Sequence, residues 1–170
     1  MNLLHADYAQ IQKSIDEVIG LKCKNFKPEA ESVEYRAATF EINDIRIIFR
    51  VAKTTPTKIG QFVTFWKRIN NSPIMPFDTL DPFDFFIVYV FGKNNFGLFI
   101  FPKSVLTSKG VISQNGKGGK RAIRVYSPWN IAHSKQAQTT QVWQLRYFIE
   151  LQSDGSSHAI TLQKMLSASL

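Results

Sequence analysis

The residue types best suited to chemistry gather around one lysine. Lys53 closes the run "IRIIFRVAK", and Asn43-Asp44 before that run is turn chemistry that folds it back on "EYRAATFEI". A turn centred there pairs residues whose numbers sum to about 87. Glu34 then stands opposite Lys53, and Val51 opposite Arg36. Two-residue alternation puts Lys53 and Glu34 at one end of a face that also carries Ala38, Phe40, Ile47 and Phe49. Glu31 joins them if the preceding loop folds back. Carboxylates beside a lysine can serve phosphodiester hydrolysis. Oxygens of Glu34 and Glu31 would hold a hard divalent ion, Mg²⁺ or in its place Mn²⁺, which polarises the phosphate and acidifies an attacking water. Lys53 would orient that water or offset developing negative charge. The next segment, "TTPTKIGQFVTFWKRINN", starts with Thr55 as a cap and Pro56 at a first helical position. Ile59, Phe62, Val63, Trp66 and Ile69 follow at helical spacing, which predicts a helix. On it Gln61 would help hold the water or the phosphate, and Lys58 would lie near the anion-friendly N-terminus. An exposed cross-strand ion pair, worth under ~1 kcal/mol, accounts for the same spacing and is the simpler account of it.

A second constellation is "GKGGKRAIRVYSPW". Its glycines allow close backbone approach, Lys117, Lys120, Arg121 and Arg124 can neutralise phosphates, and Tyr126 and Trp129 can stack on bases. It lies in an interval with no acidic residue at all, from Asp84 to Glu150, which also carries Lys93, Lys103, Lys109, Lys135 and Arg146. With a net charge of +8 distributed this unevenly, the interval suggests a surface facing a polyanion, and nucleic acid is the commonest one. Lys103, Lys117, Lys120, Arg121, Arg124, Tyr126 and Trp129 are the candidate DNA contacts. A solvated glycine loop on a basic face kept for solubility is the competing account.

These residues need elements to hold them. Apolar positions at Leu4, Tyr8, Ile11, Ile15, Val18 and Ile19 predict a helix closed by Gly20. "KCKNFKPEAES" reads as a polar connection. The hairpin and the helix from Thr55 come next. "PIMPFDTLDPF" is a proline-punctuated loop, and "DFFIVYVF" and "GLFIFP" are strands apolar enough to be buried on both faces. "RAIRVY" is a short strand and "AQTTQVWQLRYFIEL" a last helix. The order predicts an α/β (α+β) fold, a mixed sheet flanked by helices, in a single domain over residues 1–170. A core spans about residues 5–102, and the basic loop, strand and helix about 103–152.

Several classes are excluded. His5, His133 and His158 form no spaced pair, and Cys23 is alone, so neither a histidine nor a thiolate metal site is expected. There is no Walker loop, no Gly-x-Ser-x-Gly elbow and no dinucleotide fingerprint. No window reaches the ~18 apolar residues of a membrane span, and the first twenty residues lack the apolar block of a signal peptide. A cytoplasmic protein with DNA as its partner is expected, monomeric or dimeric.

"FRVAKTTPTKIGQFVTFWKR", "GLFIFPKSVL", "KRAIRVYSPW" and "QAQTTQVWQLRYF", in this order, resemble the MepB-like family of bacterial proteins. The resemblance runs from roughly residue 28 to residue 150. It implies a restriction-endonuclease-like fold of the PD-(D/E)xK type, whose core is helix, antiparallel strands, helix, strand. It also implies a DNA-directed role, such as cleavage of foreign or base-modified DNA in phage defence or in the response to nucleoside analogues. A catalytically inactive nucleic-acid-binding module is the alternative, and an accessory protein of multidrug efflux is another, since some members are encoded beside an efflux pump. In the PD-(D/E)xK pattern an acid lies two residues before the lysine, where this chain has Val51. Glu34 is the candidate migrated acid, and Asp84 a weaker one.

Overall fold

A computed structural model describes residues 3–151 and 158–168. Helix α1 (Tyr8–Ile19) starts at a capping box, in which the Asp7 carboxylate accepts from the Gln10 N–H and the Gln10 side chain accepts from the Asp7 N–H. It stops at Gly20, whose φ of +70° is the left-handed conformation a glycine adopts without penalty. Ile11, Ile15 and Ile19 form the buried stripe.

Strands β1 (Lys24–Pro28), β2 (Ala38–Ile42) and β3 (Ile45–Val51) form an antiparallel meander. The segment expected to be a polar connection therefore includes an edge strand. Its residues are mostly exposed, so it carries no apolar alternation to announce it. Between β1 and β2 lies a single 3₁₀ turn, Val33–Tyr35, flanked by Ser32 and Arg36 at positive φ.

After β3 the chain changes sheet. Lys53–Thr54 form β4, Gln61–Thr64 β5, Trp66–Lys67 β6 and Met75–Pro76 β7. The helix expected from Thr55 is not there. Aromatic and β-branched residues in "QFVTFW" satisfy a two-residue period as well as a helical one, and tertiary pairing decides for strand. Gly60, at φ +78° and packed against the Tyr126 ring, breaks the segment where a helix would have to continue.

Strands β8 (Phe85–Phe91) and β9 (Phe96–Pro102) are the buried centre, followed by α2 (Lys103–Ser108), β10 (Ala122–Val125), α3 (Lys135–Leu145), β11 (Phe148–Leu151) and α4 (Ala159–Ser167). The last predicted helix thus ends at Leu145, and its final residues turn back as β11 beside β9. The main sheet has the order β1-β2-β3-β8-β9-β11, with β3 and β8 parallel and every other pair antiparallel. A smaller sheet has the order β10-β5-β4.

Alternation along the central strands sorts their side chains to two apolar faces. Phe49, Ile87 and Ile100 face a layer made by α1 and α4, which contributes Ile11, Ile15, Leu162 and Leu166. Ile48, Phe86, Val88 and Phe99 face the second layer, with Val63 of the small sheet, Phe65 just after it and Leu106 of α2. Phe65 and Phe86 stack across the layers at 3.8 Å between ring centres. The result is a mixed sheet covered on both sides, as the element order predicts.

Candidate nucleic-acid interface

Lys53 sits at the point where the chain leaves the main sheet for the small one, hydrogen-bonded in register with Phe62. It does not pair with Glu34. The hairpin closes with the predicted register, Ala38 opposite Phe49, but goes no further, because the 3₁₀ turn at Val33–Tyr35 has already taken Glu34 off the strand. The Lys53 ammonium lies instead 4.6 Å from the centre of the Tyr35 ring. Glu34 is exposed beside it, with no ion pair to Lys53, and burial together with the nearby Glu34 charge raises the Tyr35 pKa. Glu31 turns to the Arg68 guanidinium at 2.8 Å. Val51 is fully buried in the apolar layer beneath α1, so the position of the expected acid could not reach solvent or a substrate.

The supporting residues are also placed differently. Gln61, 4% exposed, donates to the Thr54 hydroxyl at 2.9 Å and accepts from the Phe91 N–H at 3.0 Å. Its amide joins β4, β5 and the end of β8, and the side chain is buried there rather than on a helix surface. Lys58 lies exposed in the loop before Gly60, without a helix N-terminus beside it. Asp84 accepts from the Arg46 backbone and guanidinium, which hold its pKa below the ordinary carboxylate range. Among the described residues no three His, Cys, Asp or Glu side chains converge as a metal site. Glu34 and Glu31 as placed do not fit a hard divalent ion, which needs several oxygens at once.

The basic interval gives a more coherent picture. The glycine loop after α2 is held by Asp78, whose carboxylate accepts from the Ser113 hydroxyl at 2.6 Å, the Gly116 N–H at 2.8 Å and the Leu80 N–H at 3.0 Å. These donors hold its pKa well below the usual range. Gly119, at φ +82°, packs so closely on Pro76 and Ser113 that a Cβ would collide with both. The loop is thus tied down, and it presents Lys117, Lys120 and Arg121 exposed, with no carboxylate within ion-pair distance among the described residues.

Three of the expected contacts also make contacts within the fold. Lys103 donates to the Thr79 and Asp81 carbonyls and lies over the Phe83 ring, and burial lowers its pKa. Trp129 packs edge-on against Phe148 and over Gly92. Arg124 ties down the Thr55–Gly60 loop through the Gly60 carbonyl at 3.2 Å and the Thr55 hydroxyl at 2.7 Å. Tyr126 remains half-buried beside Gly60.

Helix α3 docks on this surface without an apolar stripe. Gln138, Gln141 and Gln144, three residues apart, donate to the carbonyls of Ala132, of Ser127 and Asn130, and of Arg124. Gln144 also accepts from the Tyr126 N–H at 2.9 Å, and it is completely buried. Val142, an apolar residue of this helix, is exposed. The glutamines hold α3 across the edge of β10, leaving a groove of about 380 Å³ that Lys109, Lys120, Arg124, Tyr126 and Trp143 line in part. Lys109 and Trp143 did not stand out as site residues in the sequence. A tryptophan in a helix of glutamines and threonines, within an acid-free interval, was the available signal.

Comparison with known proteins decides the family. The MepB-like family model matches residues 29–150. This chain belongs to the MepB-like family. The crystal structure of MepB is 30% identical, covers 86% of this chain and 99% of that one, and superposes with a TM-score of 0.75. A bacterial homing endonuclease is a more remote structural neighbour, 16% identical over 83% of this chain and 94% of its own, with a TM-score of 0.41. No curated protein matches. Of the order expected for this family, α1, the antiparallel β2–β3 hairpin and β8 are present, and strands β4–β7 stand where the crossover helix was expected. No helix of the described residues is long and apolar enough to cross a membrane.

Proposed function

We propose that this chain binds DNA through the face formed by the glycine loop, β10 and α3. The observation that carries this is the set of exposed cations there, Lys117, Lys120, Arg121 and Lys109, none of which meets a carboxylate among the described residues. Cations left unpaired on a braced loop attract phosphates and release counterions on binding. Affinity for duplex DNA should therefore fall linearly on a log–log plot against salt. Reversing Lys117, Lys120 and Arg121 to Glu should flatten that slope by roughly 1 for each phosphate that is no longer neutralised. DNA affinity that ignores both salt and these reversals, or no DNA affinity at all, would overturn the proposal.

Hydrolysis at Lys53 is a second reading. It is favoured by the position of Lys53 at the sheet-to-sheet step after β3, with an exposed carboxylate, Glu34, on the neighbouring turn. Mg²⁺ or Mn²⁺ would require Glu31 to leave Arg68 and Glu34 to move toward Lys53. Cleavage of base-modified or unmodified DNA with either metal, abolished by Lys53→Ala, would establish this reading. Binding without cleavage across both substrates would leave the protein a nucleic-acid-binding module.

A further inference from the structure

The groove between β10 and α3 is small, charged and aromatic. Its lining contains no carboxylate; it contains Lys109, Lys120 and Arg124, the Tyr126 and Trp143 rings, and Thr140. Arg124 is already committed to the Thr55–Gly60 loop, so the cations free to meet a ligand are the two lysines. Trp143 rests on the Phe101 ring at 5.4 Å, and the Lys109 ammonium is 5.7 Å from the Trp143 ring centre. A volume of about 380 Å³ lies at the small end of ligand pockets, enough for one nucleotide and far too little for a duplex. In a duplex the base faces are covered by their neighbours, so an aromatic ring in a groove can stack only on an unpaired base.

We infer that this groove seats one unpaired nucleotide of a DNA strand, its base on Trp143 and its phosphates on Lys109 and Lys120. The inference rests on the DNA-binding reading and adds which form of DNA this part of the face takes. Lys109 occupies the ring in the free protein through a cation–π contact and exchanges it for a phosphate when the base arrives. The N-terminal turn of α3, capped by Ser134, also borders the groove and adds partial positive charge. The buried Gln144 fixes the distance between strand and helix, so the groove exists before the ligand does.

The test compares a short oligothymidylate with a hairpin duplex by fluorescence anisotropy, at one salt concentration. Trp143→Leu should weaken the single strand by roughly tenfold or more and change duplex affinity by less than about twofold. Trp143→Phe, which keeps an aromatic face, should restore most of the loss. Lys109→Gln, at an exposed position, should weaken the single strand several-fold and keeps the test independent of packing against Phe101. In the unmodified protein, oligothymidylate should also quench tryptophan fluorescence. Equal losses for both DNA forms, or a single-strand affinity indifferent to Trp143→Leu and Lys109→Gln, would overturn the inference and leave the DNA-binding reading standing. An unmodified protein that binds neither form would overturn both.

Discussion

Gln144 carries a load out of proportion to its size, and removing it offers the sharpest test of how the groove is held. The side chain is fully buried and makes two hydrogen bonds to β10 and the residue after it, from the Tyr126 N–H and to the Arg124 carbonyl, both at 2.9 Å. Gln144→Leu keeps the volume and removes both partners. A buried backbone group left without a partner costs ~1–3 kcal/mol. Both bonds are only part-buried, so water reaches the orphaned groups to some extent and the lower part of the range applies. Two such groups then give a loss of about 2–3 kcal/mol. With an m-value of ~2 kcal/mol/M in urea, the unfolding midpoint should drop by about 1–1.5 M at unchanged m. Amide exchange at Tyr126 should accelerate in the same variant, because that N–H loses its acceptor. A midpoint within about 0.3 M of the parent protein would refute the reasoning, since it would mean that α3 stays docked without the bonds of Gln144.

Two further outcomes follow from buried charge. Arg50 is 1% exposed on the apolar second face, with Phe77 and Phe86 beside it, and is matched by Glu29 at 2.6 Å; Glu29→Ala should destabilise the fold by about 3 kcal/mol in urea denaturation, and Arg50→Met added to it should recover much of that loss. Asp78 and Asp84 have pKa values held low by their donors, so the stability they lend is complete above the ordinary carboxylate pKa of about 4 and is lost as pH falls through their lowered values; Asp78→Asn should be less stable than the parent protein near neutrality, with a flatter acid limb in a pH series of thermal midpoints.

What the sequence made legible was governed by whether one physical signal stood alone. β8 and β9 are nearly uninterrupted apolar runs, which only a strand covered on both faces explains, and they lie where expected. The Asn43-Asp44 turn fixed the hairpin register, because both residues adopt the positive φ that such turns require. The segment after Lys53 carried two signals at once. Phe62, Val63 and Trp66 fit a helix stripe, and the same residues pair as strands once β10 is available to hydrogen-bond with β5. β10 lies some sixty residues downstream, and no local pattern reports it. The mistaken extension of the hairpin had the same origin: Glu34 and Lys53 face each other only if the strand continues past Ala38, and the positive φ at Ser32 and Arg36 that ends it is not written in their residue types. The groove was half legible. Its charge was visible in the missing acids, but the glutamine ladder of α3 replaces an apolar stripe with hydrogen bonds, and periodicity of hydrophobicity cannot see that.

The absent helix has a consequence for where an anion can bind. Parallel strands such as β3 and β8 need a crossover, and a crossover is usually a helix. A helix starting at Thr55 would have pointed free N–H groups and a partial positive charge at whatever lay beside Lys53. Strands β4 and β5 carry almost no net dipole, so Lys53 must attract a phosphate alone while its ammonium rests on the Tyr35 ring. The cations and the helix N-terminus that can supply attraction lie instead across the small sheet, at the glycine loop and the start of α3. On the proposed reading, DNA affinity and any chemistry at Lys53 would be carried by different parts of the molecule. Lys53→Gln should leave duplex and single-strand affinity within about twofold of the parent protein, whereas Lys120→Glu with Arg121→Glu should weaken both several-fold at low salt. If Lys53→Gln costs as much affinity as the paired reversal, the phosphate is held at the sheet-to-sheet step, and the separation argued from the missing helix fails.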